Sequence, residues 1–155
     1  MTGTRGVGVL MDEKWVEKVL EVRRVNARVI VLKLLFDKNV LTVVSTFSPQ
    51  IGLRKEKDEF WDTIGPVVSG ISEREVVVIG GDLNGHVGAL AEGYEGVHGG
   101  SGFRVRNTEG VRILEFGEAL DMVVCNTMFK KRLSRLITFE SGGIKSQIDY
   151  FLVSR

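Results

Sequence analysis

The sequence predicts an α/β fold of the α+β type, in which mostly antiparallel sheets are covered by helices. Short runs of Val, Ile and Leu with strand character are mixed with two segments whose apolar residues recur at helical spacing. Because strands and helices do not follow a strict β-α-β order, a doubly wound parallel sheet is disfavoured. The chain has 155 residues, 43% of them hydrophobic, which is enough for one domain with a buried core.

Strand signals dominate the chain before Pro49, which cannot donate to a sheet and should end this region. Asp12–Leu20 is ambiguous, because a helical face of apolar residues runs into a β-branched stretch. A hairpin is predicted around the polar turn Asp37-Lys38-Asn39. The predicted strands are Val9–Met11, a segment that ends near Val25, Val29–Phe36 and Val40–Phe47.

The rest of the chain adds two helices and the later strands. Arg54–Val68 and Glu109–Leu120 have helical spacing, and the first of them could kink or end early at Gly65-Pro66. Gly85–Gly102 is rich in glycine and weak in periodicity, which is typical of a loop that is either functional or disordered. The further predicted strands are Val76–Ile79, Met122–Asn126, Leu136–Phe139 and Ile148–Val153.

Composition disfavours several classes of protein. The formal net charge is +1, so any nucleic-acid contact must come from a local basic patch. No apolar run approaches the roughly 18 residues that span a membrane, so no membrane contact is expected. Cys125 is the only cysteine, which favours a reducing nuclear or cytoplasmic compartment.

The first chemical signal is the segment Gly80-Gly81-Asp82-Leu83-Asn84-Gly85-His86, which follows an apolar strand. Side chains two residues apart on an extended backbone project to the same side, so Asp82 and Asn84 should converge. A carboxylate can orient a water molecule, an amide can donate to a phosphate oxygen, and Mg²⁺ prefers such oxygen ligands. The alternative is a plain Asp-Asn turn with capping hydrogen bonds.

The second signal is Asp149, in the middle of the segment Ser146–Val153, which is interpreted as an apolar strand. A buried carboxylate needs a partner, and in a nuclease that partner would be a histidine whose orientation it fixes. The alternative is an aspartate on an edge strand that faces water.

A third, weaker signal is the basic run Phe129–Arg135, which contains Lys130 and Lys131 and is joined by Arg104 and Arg106 as candidate DNA contacts. The alternative is a solvated turn. His86 and His98 do not predict a metal pair, since no third ligand lies at usable spacing.

Together these stretches resemble the endonuclease/exonuclease/phosphatase family, and most closely its retrotransposon-type endonuclease branch. Five segments in order carry the resemblance across about Gly6 to Arg155. Ser45–Gln50 aligns with a Tyr-x-Pro segment of the family, and Gly81–His86 aligns with its Gly-Asp-Phe-Asn motif and the residues that follow that motif. The other three segments are Asn126-Thr127, Thr138-Phe139 and Gln147-Ile148-Asp149-Tyr150.

The resemblance implies a four-layer αββα sandwich of two mostly antiparallel sheets, with an active site at one mouth. It also implies Mg²⁺ or Mn²⁺ as the cofactor, DNA as the partner, and hydrolysis of phosphodiesters. By position, Asp82 would orient the nucleophilic water and Asn84 would contact the scissile phosphate, with both residues near the metal. Asp149 would hold the histidine that acts as general acid or base in the family.

Three departures from the family pattern shape the functional expectation. No residue before Gly6 matches the metal-binding Glu, none after Asp149 matches the Ser-Asp-His motif, and Phe47 replaces a phosphate-contacting Tyr. Residues 1–155 are therefore expected to be a partial domain, incomplete at both ends and inactive alone. The alternative is a non-catalytic module that binds nucleic acid or protein.

The same reasoning predicts where the chain could associate with itself. Strands that lose their neighbours expose unpaired edges, and such edges favour association. The edges are expected near Val9–Met11 and near Ile148–Val153, so oligomerisation through them is a further expectation.

Overall fold

The computed structural model describes residues 6–50 and 54–155. The chain divides into two compact units, unit 1 ending at Gly81 and unit 2 comprising Asp82–Arg155. Within the described residues, three short 3₁₀ helices span Glu13–Lys18, Cys125–Thr127 and Leu133–Arg135. The other elements are β1 (Val19–Asn26), β2 (Val29–Phe36), β3 (Asn39–Phe47), α1 (Arg54–Ser69), β4 (Val76–Asp82), α2 (Thr108–Ala119), β5 (Met122–Val124), β6 (Phe139–Ser141), β7 (Ile144–Ser146) and β8 (Asp149–Ser154).

Unit 1 contains strands in the order β1-β2-β3-β4. The predicted hairpin around Asp37-Lys38-Asn39 is confirmed, since β2 and β3 pair antiparallel from Phe36↔Asn39 to Val29↔Thr46. Asp37 has φ 53°, a left-handed turn conformation that aspartate tolerates better than most residues. The apolar stripe of α1 is buried at helical spacing by Phe60, Ile64 and Val68.

Helix α1 runs through the proline that was expected to disturb it. The predicted helix Arg54–Val68 is confirmed: it continues past Pro66 to Ser69, so the early end left open at Gly65-Pro66 does not occur. Proline removes one backbone donor, the N–H of residue 66, and the helix continues without that hydrogen bond. The carbonyl of Pro66 accepts a hydrogen bond from the Gly70 N–H at 3.1 Å.

Unit 2 contains α2, the antiparallel pair β5/β8 and the antiparallel hairpin β6/β7. Its core residues are spread along its whole sequence. The largest fully buried side chains are Val87, His98, Ile113, Leu114, Met122, Tyr150 and Leu152.

Two predicted strands are wrong. Val9–Met11 has no strand structure, and Leu10 is fully exposed, so the run has no core to face. Leu136–Phe139 was predicted as a strand, but a 3₁₀ helix precedes it and β6 begins only at Phe139. Leu136 is buried as a single apolar anchor, which requires no strand.

The expected exposed edges need correction as well. Strand β8, which covers most of Ile148–Val153, pairs with β5 from Met122↔Ser154 to Val124↔Leu152. The outermost strand of unit 1 is β1, which carries charged side chains and two register shifts against β2. Charges and bulges hinder edge-to-edge pairing. Oligomerisation stays a prediction, and β1 replaces both predicted segments as the edge to examine.

Candidate active site

Strand β4 brings Asp82 to its C-terminal end. Val77 and Ile79 are buried, which fixes the register of the strand. Gly81 has φ 153°, and a Cβ atom there would lie 1.9 Å from the carbonyl oxygen of Thr46. Only glycine fits at this position, because the backbone of β3 approaches it closely.

The backbone turns immediately after Asp82. The Asn84 N–H donates to Asp82 Oδ1 at 2.9 Å, and Asn84 has φ 49°. The expectation that Asp82 and Asn84 project from one extended strand is therefore wrong, because the strand ends at Asp82. The Asp-Asn turn weighed as the alternative is present. It holds the Asp82 carboxylate in place and is compatible with a functional role for it.

Asp149 is the first residue of β8, and not a mid-strand residue as predicted. Two polar side chains hold its backbone. Thr138 Oγ1 accepts from the N–H groups of Ile148 and Asp149 at 3.1 and 3.2 Å. The Asn126 side-chain amide donates to the Asp149 carbonyl at 3.4 Å and accepts from Phe151 N–H at 2.7 Å. These hydrogen bonds hold the backbone at the start of β8 at both the N–H and the carbonyl of Asp149.

The carboxylates of Asp82 and Asp149 interact electrostatically. Burial raises the pKa of Asp82; the Asn84 N–H opposes this rise, and the charge of Asp149 adds to it. Two like charges near a partly desolvated position are stabilised by a cation. Carboxylate and amide oxygens are ligands that suit Mg²⁺, which needs only one or two of them.

In residues 6–50 and 54–155 no group of three His, Cys, Asp or Glu side chains is arranged to hold a metal ion.

Tyr150 connects the two segments that carry these carboxylates. Its hydroxyl lies 2.6 Å from the Gln147 carbonyl and 3.0 Å from the Gly85 carbonyl, and it accepts from the Val87 N–H at 3.4 Å. Burial raises the pKa of Tyr150 far above its ordinary value, and the charges of Asp149 and Asp82 act in the same direction. The hydroxyl therefore stays protonated and positions the loop after Asp82 against the start of β8.

The glycine-rich segment Gly85–Gly102 is held by polar side chains. Arg106 donates to the carbonyls of Val87, Leu90 and Glu92 at 3.1, 2.6 and 3.0 Å, and its guanidinium lies over the Tyr94 ring. These contacts hold the loop in one conformation, which disfavours the disordered alternative, and a functional role of the loop stays a prediction.

Among the residues that the structure describes, neither His86 nor His98 belongs to a group of three ligands that could hold a metal ion. His98 is buried, with Nδ1 accepting from Gly100 N–H and Nε2 facing the Gly88 carbonyl, each at 3.0 Å. Burial lowers the pKa of His98, the Gly88 hydrogen bond opposes this, and the Arg106 charge lowers it further. His98 is thus a neutral side chain that orders the loop.

The residues predicted to contact nucleic acid differ in whether their side chains are exposed or already hydrogen-bonded within unit 2. Arg106 is occupied by loop carbonyls, whereas Arg104 is exposed beside the Phe103 ring. Lys130 and Lys131 are exposed and line a cavity of about 580 Å³ together with Arg132 and Arg135. The sequence pattern marked this run as basic but gave no sign that its side chains surround one concavity.

Comparison with known sequences identifies a relative of this chain. No family model matches the chain. The sequence is 27% identical over 150 residues to craniofacial development protein 2 of Tragulus javanicus, covering 95% of this chain and 26% of that protein. The chain therefore spans about a quarter of the length of the curated relative that it matches.

Solved structures identify the fold. The endonuclease domain of TRAS1, a telomere-specific non-LTR retrotransposon, matches with a TM-score of 0.63 at 15% identity, over 94% of this chain and 58% of that one. An endonuclease/exonuclease/phosphatase family protein from Leptotrichia buccalis C-1013-b matches with a TM-score of 0.53 at 14% identity, over 86% and 43% of the two chains.

The chain has the mixed α/β fold of the endonuclease/exonuclease/phosphatase proteins, which confirms the predicted fold class and the resemblance. Within that class, it is a relative of craniofacial development protein 2. None of the helices in the described residues is long and apolar enough to cross a bilayer.

Proposed function

We propose that this chain carries part of a metal-dependent phosphodiester hydrolase site, formed by Asp82, Asn84 and Asp149, whose substrate is DNA. The observation that supports this most is the electrostatic coupling of Asp82 with Asp149 on a nuclease-type fold. The TRAS1 structure is that of an endonuclease domain, and the likeness to it supports nucleic acid as the substrate class.

Each residue has a proposed role. Asp82 and Asn84 would hold Mg²⁺ or Mn²⁺, and a bound ion would polarise a phosphoryl oxygen and neutralise developing charge. The Asp82 carboxylate would also orient the attacking water, and the Asn84 amide would donate to the scissile phosphate. Asp149 would orient a histidine that acts as general acid or base. No residue of this sequence matches that histidine or the metal-binding glutamate of the family.

The chain by itself is therefore proposed to bind metal and nucleic acid but to hydrolyse poorly. General acid–base groups contribute about a hundred- to ten-thousand-fold each to rate. A non-catalytic module that binds nucleic acid is the second candidate, and the basic cavity of unit 2 favours it.

Electron paramagnetic resonance of free Mn²⁺ tests the metal site. Asp82→Asn should weaken Mn²⁺ binding by about tenfold or more, because one charged ligand is lost. The control Asp37→Asn removes an exposed carboxylate from unit 1 and should leave the affinity unchanged. Equal Mn²⁺ affinity in the Asp82 and Asp37 variants would contradict the proposed metal site.

Plasmid nicking in Mg²⁺ tests the catalytic part. The purified chain should nick supercoiled DNA no faster than its Asp82→Ala variant. Robust nicking that Asp82→Ala abolishes would show that hydrolysis proceeds without the two unmatched family residues, and the proposed inactivity would be wrong.

A further inference from the structure

We propose that the basic cavity of unit 2 binds the phosphate backbone of a single-stranded nucleic acid. The cavity has a volume of about 580 Å³ and is lined by Lys130, Lys131, Arg132 and Arg135. The inference rests on the proposed function only for the class of ligand, nucleic acid. It does not require metal binding or hydrolysis.

The four cationic side chains of the cavity are uncompensated. Ion pairs elsewhere in unit 2 join Lys145 to Glu140 and Arg155 to Asp121. In the described parts of the chain, no carboxylate lies within ion-pair distance of any of the four cavity cations. Four like charges around one concavity repel each other, and a polyanion that enters it relieves this repulsion.

An ordered turn presents these charges. The Arg135 N–H donates to the Arg132 carbonyl at 2.9 Å, and the Leu136 N–H donates to the Leu133 carbonyl at 3.1 Å. Leu136 is buried and anchors the end of the turn. The side chains of Arg132 and Arg135 therefore extend from a fixed backbone, which lowers the entropy lost when a ligand binds.

The chemistry of the cavity suits phosphodiesters. The planar guanidinium groups of Arg132 and Arg135 match the oxygen geometry of phosphate, and lysines add point charges. A volume of about 580 Å³ lies within the range of known small-molecule sites, so a nucleotide unit has room.

An exposed aromatic ring distinguishes a single strand from a duplex. Phe129 precedes Lys130 and is 59% exposed. Sites for single-stranded nucleic acids combine a cationic groove with aromatic rings on which unpaired bases stack. In a duplex those base faces are already stacked on each other, so Phe129 would gain no partner.

Fluorescence anisotropy with a labelled 12-residue oligothymidylate, in EDTA, tests the inference. A variant with all four cavity cations replaced by glutamine should bind at least about tenfold more weakly. In a plot of log K against log salt concentration, its slope should be shallower by about 3, since each of the four contacts to a single strand contributes about 0.7. Phe129→Ala should weaken binding by about tenfold without changing the slope.

A matched control removes four exposed cations from unit 1, and it should bind like the wild type. These residues are Lys38, Arg54, Lys55 and Arg74. Equal weakening in both quadruple variants would mean that the effect is one of net charge, and the inference would fail. It would also fail if the cavity variant kept the wild-type slope.

Two competitors test the ligand class. Duplex DNA of the same length and polyglutamate should each displace the oligothymidylate at least about tenfold less well. Equal displacement by duplex DNA would overturn the single-strand assignment, and equal displacement by polyglutamate would overturn nucleic acid as the ligand. Because the assay needs no metal, loss of Mn²⁺ binding in Asp82→Asn leaves this result unaffected.

Discussion

The two ends of β4 carry carboxylates in opposite situations. Glu75 precedes the strand and accepts hydrogen bonds from Thr42 Oγ1 and from Lys33 Nζ, the latter at 2.9 Å. Burial acts to raise the pKa of Glu75, but Thr42 and Lys33 together hold it below its usual value. Asp82 ends the strand, and burial and the charge of Asp149 raise its pKa.

This difference separates a structural carboxylate from a functional candidate. Glu75 has a cationic partner within the fold, so its charge is compensated and contributes to stability. Asp82 interacts with a second carboxylate, so its negative charge is destabilised by repulsion. A bound cation or a proton on Asp82 would remove this destabilisation. The pKa values of the two residues shift in opposite directions, because the neighbouring charge is a lysine at Glu75 and a carboxylate at Asp82.

Glu75→Ala should cause the largest loss of stability. It leaves the buried Thr42 hydroxyl and the partly buried Lys33 ammonium without their acceptor, at a cost of about 2 kcal/mol. Urea unfolding at pH 7 measures this cost, with the exposed Glu73→Ala as the control. A loss no larger than that of the control would mean that Glu75 is not a structural carboxylate.

Tyr150→Phe should cost about 1 kcal/mol, because it removes one hydroxyl that serves the Gly85 and Gln147 carbonyls and the Val87 N–H. Unfolding in urea measures the cost. Hydrogen exchange should also show faster opening at Val87 than in the wild type. Unchanged exchange there would contradict the positioning role of the hydroxyl.

Asp82→Asn should have the smallest effect on stability and the opposite sign, a gain of about 0.5 kcal/mol at pH 7 after allowance for solvent screening. The replacing amide oxygen can still accept from the Asn84 N–H, while the repulsion from Asp149 disappears. A loss of more than about 1 kcal/mol on urea unfolding would show that the Asp82 charge is stabilising.

The two carboxylates should also differ in pH dependence. The lowered pKa of Glu75 means that its stabilisation is present above about pH 4.5 and is lost as pH falls through its folded pKa. The raised pKa of Asp82 means that its destabilisation develops as pH rises above 3.8. Lowering the pH from 7 toward 4 should therefore shrink both mutational effects, the loss for Glu75→Ala and the gain for Asp82→Asn. If either effect grows instead, the sign of that pKa shift is wrong.

Much of the fold could be predicted from the sequence because periodicity reports burial. Val29–Phe36, its hairpin partner and both helices have strong apolar patterns, and these elements are confirmed. The hairpin β6/β7 was missed because its strands are short, polar and largely exposed around Gly142-Gly143. Val9–Met11 is apolar without being buried, which no pattern reveals.

The candidate site was less predictable than the fold. Sequence motifs identified Asp82, Asn84 and Asp149 as candidates, but their roles stay predictions. The supports around them come from distant positions: Thr138 and Asn126 hold Asp149, and Tyr150 connects the two segments. Side-chain hydrogen bonds to backbone atoms follow no periodicity, so only the three-dimensional structure reveals them.

Anomalous diffraction from crystals of the protein soaked in Mn²⁺ tests the central claim most directly. We expect one strong peak in direct contact with an Asp82 carboxylate oxygen, absent from crystals of Asp82→Asn. A strong peak at Glu75, or one elsewhere that persists in the Asp82 variant while Asp82 has none, would contradict it.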